Sequence, residues 1–395
     1  MDHELRKRGT SVSAPLDPVV LPGREGAYSI TLRDGVIAEI APLRSGEVPR
    51  WLALPAFANL HAHADRAFTV TAFRPRSFAD ALAASATARA AFTPEDVEHR
   101  ATMFFERSLA HGVTRVRTHT DVDPVVGMKS LDGVLAAKTA MAGRLDVDVI
   151  AFSTSRNDLP QPDAVARLQD AIGRKPDFLG LSVNSAADPK RALDGLLDLA
   201  EQSGLPVDLH IDEHLWPDKM IAPMALDLVT ARGLGRRVTF SHLCALAILD
   251  PPSAGKLIDG IAKAGITVIA LPETNLFLQD RGEVTPRRRG ITLARELIAA
   301  GVKVRLGTDN VRDWFYPFGD GDMLDTALFA AVAAGVDHGV DLLSGLCDGR
   351  AALSPGAPAD LVLVPACSLE DALARRPTGR IVIKGGRQVA GPANL

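Results

Sequence analysis

The stretch Phe57-Ala58-Asn59-Leu60-His61-Ala62-His63-Ala64-Asp65 places two histidines two residues apart at the end of an apolar run. Side chains at positions i and i+2 of a β-strand leave the same face, so both imidazoles can reach one point in space. Neutral imidazole is the commonest protein ligand for a transition metal. The segment therefore predicts a strand that carries half of a metal site.

Three later apolar runs also end in side chains that can bind a metal or transfer a proton. They are residues 207–213 (VDLHIDE), 237–242 (RVTFSH) and 303–310 (KVRLGTDN). Enzymes built as (β/α)₈ barrels keep their active sites at the carboxyl ends of the strands, because side chains fill the barrel interior. The four runs together predict one active site on such a barrel.

Between residues 51 and 344, short β-like runs alternate with longer helical ones, which is typical of repeated βα units. Helices are indicated by the capping sequence Thr93-Pro94-Glu95-Asp96 and by the spacing of the apolar residues between Asp188 and Gly204. Eight candidate strands end near His61, His119, Thr154, Asn184, Glu213, His242, Pro272 and Asn310. This pattern predicts an α/β fold in which residues 51–344 form a TIM barrel.

The two ends of the chain have a different pattern. Residues 28–40 read as a β-hairpin whose turn is Asp34-Gly35, and residues 359–364 and 380–384 form a second pair of strand-like runs. Neither end has enough apolar surface to fold alone. Residues 1–50 and 345–395 are therefore predicted to build one small β-sandwich beside the barrel.

Composition narrows the class of protein. The 395 residues are 47% hydrophobic, and the net charge is −4. The sequence has no long basic stripe, so no nucleic-acid partner is expected. Cys244, Cys347 and Cys367 are too scattered for a disulfide framework. The amino terminus lacks the apolar core of a secretory signal, and no apolar run approaches the roughly 18 residues of a membrane span. We expect a cytoplasmic protein with a small-molecule substrate and no membrane partner; a homo-oligomer is left open.

With its histidines and Asp309 in this order at strand ends, the chain resembles the amidohydrolase superfamily of metal-dependent hydrolases, whose fold is a distorted (β/α)₈ barrel. It is most similar to the cytosine deaminase branch, in residues 117–121, 210–213, 241–242, 288–292 and 309–313. Residues 310–313 and 318–323 look more like the N-isopropylammelide-type amidohydrolases that degrade triazines.

The resemblance implies a metal site. In the cytosine deaminase branch one divalent ion, zinc or iron, is held by four residues that correspond here to His61, His63, His210 and Asp309. Two-metal members of the superfamily bridge their ions with a lysine on the fourth strand, and residues 178–184 contain none. One divalent ion per chain is therefore expected.

The resemblance also implies a reaction, the hydrolytic deamination of a small pyrimidine- or triazine-like heterocycle with release of ammonia. A bound divalent cation lowers the pKa of its water from about 16 towards about 7, which supplies hydroxide. Asp309 would act as the base, Glu213 would protonate the ring nitrogen, and His242 would hydrogen-bond the hydroxide or the forming oxyanion.

Other interpretations of these residues remain open. In isolation, His242 also fits a core histidine satisfied by the backbone, and Glu213 also fits a surface partner of Lys219. His119 matches the branch but has no assigned role beyond hydrogen bonding in the barrel core. A barrel that binds a ligand without catalysis would need a missing ligand or base, and none is missing from the sequence.

The residues that differ from the cytosine deaminase branch are those expected to contact the substrate. The branch has a glutamine after the third strand where this chain has Thr154, and Asn310 replaces an aspartate beside the metal ligand. Thr154, Asn310, Trp314 and Phe315 are predicted to bind the substrate, in a pocket that disfavours cytosine. The alternative reaction is hydrolysis of an N-substituted amino heterocycle or of a cyclic amide by the same site.

Overall fold

The computed structural model describes residues 9–44, 48–70, 72–154, 159–281 and 288–392. Strands in this part of the chain are β1 (Thr10–Ser11), β2 (Leu16–Val20), β3 (Tyr28–Arg33), β4 (Val36–Pro42), β5 (Trp51–Pro55), β6 (Phe57–Ala62), β7 (Val113–Val122), β8 (Asp146–Ser153), β9 (Phe178–Ser182), β10 (Val207–Ile211), β11 (Val238–His242), β12 (Thr267–Ala270), β13 (Lys303–Leu306), β14 (Leu361–Val364), β15 (Ile381–Lys384) and β16 (Arg387–Ala390).

The α-helices are α1 (Phe78–Arg89), α2 (Pro94–Ala110), α3 (Lys129–Ala140), α4 (Pro162–Gly173), α5 (Pro189–Ser203), α6 (Ala222–Ala231), α7 (Pro251–Ala264), α8 (Pro272–Leu278), α9 (Ala294–Ala299), α10 (Met323–Ala334), α11 (Gly339–Leu346) and α12 (Leu369–Arg375). Short 3₁₀ helices cover Val183–Ser185, Pro217–Lys219, Gly235–Arg237 and Cys244–Ile248. No helix among the described residues is long and apolar enough to cross a membrane.

Strands β6 to β13 form a parallel eight-stranded sheet in which each strand pairs with its sequence neighbours. The sheet closes through a parallel bridge between Ala62 and Asp309 and a 2.9 Å hydrogen bond from the Asp309 amide to the His61 carbonyl. The predicted distorted TIM barrel is therefore confirmed.

Helices around the barrel begin where the local chemistry predicts. The Thr93 side chain accepts a hydrogen bond from the Asp96 amide at the start of α2, with Pro94 at the first helical position. Asp188 caps α5 in the same way, and α5 ends before Gly204, whose φ of 74° is left-handed. These caps position the βα loops that carry the site.

The remaining strands form a second eight-stranded sheet in the order β1-β16-β15-β14-β5-β2-β3-β4, so both chain ends contribute to it as predicted. The β3–β4 turn uses Asp34 and Gly35, with φ values of 52° and 76°. One apolar cluster fills this unit, including Ile30, Ile37, Leu361, Ile381 and Ile383.

Strand β5 pairs with β2 and β14 and so belongs to the second sheet, although residues 51–55 lie in the predicted barrel segment. We propose a boundary at Ala56, with the second domain formed by residues 1–55 and 345–395. Residues 1–8, 45–47 and 393–395 of that domain lie outside the described part of the chain.

Gly307 lies at the barrel seam, where an added Cβ would meet three His61 atoms, Cβ, O and N, at 2.7–2.9 Å. We expect Gly307→Ala to lower the free energy of unfolding by about 1–3 kcal/mol, the usual cost of overpacking, as measured by denaturant unfolding. Gly255→Ala in α7 is the control, because a Cβ there meets nothing within 4 Å and alanine favours the helix. Equal unfolding energies for Gly307→Ala and the unaltered protein would contradict the seam interpretation.

Candidate metal centre and active site

The predicted metal-binding residues lie at the carboxyl end of the barrel. His61 lies within β6, His63 directly follows it, His210 lies on β10, and Asp309 follows β13. His242 ends β11 beside them. These five side chains belong to residues that are at most 7% exposed, so the fold brings the predicted set together in a buried place.

Distances within this cluster suit coordination. The Asp309 Oδ1 atom lies 3.6 Å from His61 Nε2 and 3.3 Å from His63 Nε2, and the Nε2 atoms of His63 and His210 are 3.2 Å apart. Ligands held at 2.0–2.1 Å in a tetrahedron are roughly 3.4 Å apart from one another. The spacing therefore fits four ligands around one small cation.

The hydrogen bonding points the same way. His61 Nε2 and Asp309 Oδ2 are buried and have no hydrogen-bond partner among the described residues. A buried polar atom left unpaired costs about 1–3 kcal/mol, so natural sites rarely hold several together without a ligand. The His/Asp cluster is thus able to hold a metal ion.

Burial keeps these imidazoles neutral. It lowers the pKa of His61, His63 and His210 well below the usual value, and the neighbouring histidines lower each of them further. Only the neutral ring has a lone pair for coordination. The environment therefore presents three free donor atoms at neutral pH.

His119 also belongs to this cluster. Its ring centroid lies 4.0 Å from that of His61, and its Nε2 atom is 3.4 Å from Asp208 Oδ1. In two overlapping groups of residues, the possible ligand atoms all lie within 4.8 Å of one another. The first group is His61, His63, His119 and His210, and the second is His61, His242 and Asp309. The predicted ligand set draws on both groups, and His119 faces the Asp208 carboxylate in the barrel core without a hydrogen bond at either ring nitrogen among the described residues.

A buried hydrogen-bond chain that the sequence did not reveal orients His61. The Ser241 hydroxyl donates to Asp208 Oδ1 at 2.8 Å, and Ser241 Oγ lies 3.0 Å from His61 Nδ1. Since the single hydroxyl proton of Ser241 goes to the carboxylate, Ser241 Oγ accepts from Nδ1–H of His61. His61 Nε2 is then the unprotonated atom that faces the cluster.

Glu213 and His242 lie beside this centre. Their side chains approach to 3.8 Å between Oε2 and Nε2, and His242 Nδ1 is 3.0 Å from Asn275 Oδ1. Burial raises the pKa of Glu213 to about 8 and that of Asp309 to about 7. A protonated carboxyl group is therefore available at neutral pH, and His242 Nε2 is left as an acceptor.

The backbone at the ends of these strands is unusual. Asp212, His242, Leu243 and Asp309 all have φ between 50° and 75°, a region that residues other than glycine rarely adopt. Such conformations cost of order 1–3 kcal/mol each and cluster at functional sites. Of these four residues, His242 and Asp309 line the cavity at the site.

A cavity of about 360 Å³ opens onto the cluster. Thr154, Asn310 and Phe315 are among the residues that line it, whereas Trp314 is not; both Trp314 and Phe315 pack against the hydrophobic core. Thr154 Oγ1 donates to Asp123 at 3.0 Å and Asn310 Nδ2 to Asp313 at 2.6 Å. The tertiary structure thus corrects the predicted position of Trp314.

Sequence reasoning also missed one wall of the cavity. Helix α1, to which the sequence analysis assigned no site residue, contributes Phe78, Ala79, Leu82, Ala83, Ser85 and Arg89 to the lining. Arg66 is buried beside it, 3.2 Å from Asp313 and with its guanidinium 4.9 Å from the Phe315 ring centre.

A second cavity of about 700 Å³ adjoins the first. The residues that line both are Phe78, Ser182, Ser185, His210 and Glu213. The space next to the metal-binding cluster therefore continues outward past Glu213.

Comparison with known proteins agrees with this geometry. The sequence pattern of the Amidohydrolase family matches residues 84–390. A pterin deaminase from Rhizobium rhizogenes (strain K84 / ATCC BAA-868) is 32% identical over 394 residues, covering 93% of this chain and 89% of that protein. The N-isopropylammelide isopropyl amidohydrolase of Pseudomonas sp. (strain ADP) is 25% identical and covers 85% of each chain.

Among solved structures, 5-methylcytosine deaminase from Klebsiella pneumoniae liganded with 5-fluorocytosine superposes with a TM-score of 0.86 at 26% identity, covering 96% of this chain and 97% of that one. The predicted resemblance is confirmed over nearly the whole length. The chain belongs to the amidohydrolase family and is an enzyme that acts on carbon–nitrogen bonds.

Proposed function

We propose that this enzyme hydrolytically deaminates an amino-substituted nitrogen heterocycle and releases ammonia. The observation that carries the proposal is the placement of two carboxyl groups, the buried Asp309 and the largely buried Glu213, on one cavity beside His63, His210 and His242. Deamination needs one group that takes a proton from water and another that gives a proton to the ring. Relatives named as deaminases support this reaction.

We further propose that one divalent ion, zinc or iron, is held by His61, His63, His210 and Asp309. Three imidazoles and one carboxylate match the ligand preferences of these metals. The ion would supply Lewis acidity that lowers the pKa of water from about 16 towards about 7. Residues 178–185 offer no lysine to bridge a second ion.

The protein groups then account for the proton transfers. As water attacks the amino-bearing carbon, Asp309 accepts one of its protons and the protonated Glu213 donates to the adjacent ring nitrogen. His242, fixed through Asn275, accepts a hydrogen bond from the attacking oxygen. When the carbon–nitrogen bond breaks, Asp309 returns its proton to the leaving amine, and the new hydroxyl gives its proton to Glu213, so ammonia and a ring carbonyl remain.

The two adjoining cavities favour a substrate larger than cytosine. The cavities have volumes of about 360 and 700 Å³, and Phe78 and Glu213 line both of them. The relative named pterin deaminase acts on a bicyclic ring. Where the cytosine deaminase branch has a glutamine amide that can hydrogen-bond cytosine, this chain has Thr154, whose hydroxyl already donates to Asp123. We therefore propose a pterin-like bicyclic aminoheterocycle as the preferred substrate, ahead of single pyrimidine or triazine rings.

The second candidate function is hydrolysis of an N-substituted amino heterocycle. It is favoured by the relative named N-isopropylammelide isopropyl amidohydrolase and by the similar stretch at residues 310–323. The same protein groups would serve, with an alkylamine as the leaving group in place of ammonia.

A substrate screen distinguishes these reactions. Purified enzyme is offered pterin, cytosine, N-isopropylammelide and a cyclic amide, and ammonia, alkylamine and ring-opened acid are measured separately. We expect ammonia from pterin with a kcat/KM at least roughly tenfold above that for cytosine. Cytosine turnover at about 10⁴ M⁻¹s⁻¹ or above with inert pterin would overturn the substrate proposal, and alkylamine as the main product would favour the second candidate.

The pH dependence tests the role of Glu213. Because the proton donor must be protonated, and burial raises the pKa of Glu213 to about 8, kcat should stay high below this pKa and fall as the pH rises through it. Glu213→Gln should lower kcat by about 10² or more and remove this alkaline limb, with metal content unchanged by elemental analysis. Glu201→Gln on the surface serves as the control, and a limb that survives in Glu213→Gln would assign it to another group.

Ser241 should tune metal affinity. Ser241→Ala removes the acceptor that holds His61 Nδ1–H, and loss of such a partner typically weakens metal binding 10- to 100-fold. Competition with a chelator measures the dissociation constant, and elemental analysis of the unaltered protein should give one equivalent of metal. Ser203→Ala is the control, because the Ser203 hydroxyl donates to the Leu199 carbonyl and accepts from the Leu205 amide at the end of α5. Unchanged affinity in Ser241→Ala would show that His61 is oriented by other contacts.

A further inference from the structure

A cavity of about 320 Å³ lies at the opposite end of the barrel from the metal-binding cluster. Phe178, Thr267 and Lys303, which line it, are the first residues of β9, β12 and β13, so it opens at the amino ends of the strands. Leu60 and Ile269 in its wall belong to a small apolar cluster that separates it from the catalytic end. This cavity, which we call the basal cavity, has no part in the proposed deamination.

The basal cavity is strongly cationic. One carboxylate, that of Asp348, is part of its lining, against the basic side chains of Arg117, Arg236, Arg237, Lys303 and Arg305.

Three of these cationic side chains have partners within the fold that account for their positions. Arg117 pairs with Asp208 at 3.3 Å, and Arg305 pairs with Asp348 at 3.1 Å. Arg237 donates to the carbonyl groups of Ala200 and Leu205 near the end of α5, a contact typical of a helix carboxyl terminus.

Arg236 and Lys303 have no such explanation. Both are exposed at the mouth of the basal cavity, and neither contacts a carboxylate in the described ranges of the chain. Thr239 and Thr267 add neutral hydroxyl groups to the same wall. The cavity thus combines uncompensated positive charge, guanidinium groups and hydroxyl donors, as an anion site requires.

We propose that the basal cavity binds a phosphate group, either as inorganic phosphate or as the phosphoryl group of a small metabolite. A dianion would compensate the charges of Arg236 and Lys303, and guanidinium groups match phosphate oxygens in paired hydrogen bonds. A volume of about 320 Å³ accommodates phosphate with a small organic group attached. The ligand would be recognised far from the reacting atoms, so this site is separate from the substrate site.

The test is isothermal titration calorimetry on the metal-loaded protein at constant ionic strength, with inorganic phosphate and adenosine monophosphate in separate arms. We expect saturable binding that the double variant Arg236→Gln/Lys303→Gln weakens by at least roughly tenfold. The control variant Lys256→Gln/Lys263→Gln removes two exposed lysines of α7 and should bind as the unaltered protein does. Deaminase activity should be the same in both variants.

The two arms also identify the source of the phosphate. Equal affinities for inorganic phosphate and adenosine monophosphate mean that the cavity recognises phosphate alone. Tighter binding of adenosine monophosphate means that the cavity also contacts the attached organic group. Absence of saturable heat in both arms would overturn the proposal. Binding that survives in Arg236→Gln/Lys303→Gln would overturn it too, because it would place the anion elsewhere, for instance at the metal centre.

Discussion

The hydrogen bond from the Asp309 amide to the His61 carbonyl, 2.9 Å long, joins the first and last strand regions of the barrel. Both residues belong to the His/Asp cluster that is able to hold a metal ion, so the contact that closes the fold also assembles this cluster. The adjacent Asn59 accepts from the Thr308 amide and donates to its hydroxyl, which holds the same seam from inside. Gly307 permits this approach because its missing Cβ leaves room for His61. Fold and chemistry therefore depend on one junction between segments about 250 residues apart in sequence.

Desolvation gives the assembled groups their chemical character. The same burial that keeps the imidazoles neutral holds the carboxyl groups of Glu213 and Asp309 protonated to a higher pH than usual. Arg66 opposes this shift in both acids, but it is itself neutralised by Asp121 and Asp313. One cavity therefore holds neutral imidazoles that can bind a cation and carboxyl groups that can carry a proton.

The barrel uses its two ends differently. The cavity at the carboxyl end has a mixed lining, in which helix α1 and Phe315 supply apolar side chains beside the polar cluster. The amino end is open and cationic, and Asp208 lies between the two, bonded to Arg117 on one side and to Ser241 on the other. A carboxylate in this position fixes the His61 tautomer while it compensates one charge of the basal cavity.

Local patterns in the sequence determined the barrel, the caps at Thr93 and Asp188, and the order of the metal-binding residues, because strand and helix periodicity and capping are short-range properties. Only the tertiary structure decided that Phe315 lines the cavity while Trp314 does not, since loop residues point where distant packing directs them. The same holds for the position of His119 beside His61, the bond between Ser241 and Asp208, and the wall formed by α1. Each depends on which strands become neighbours when the barrel closes, and no local pattern records that pairing.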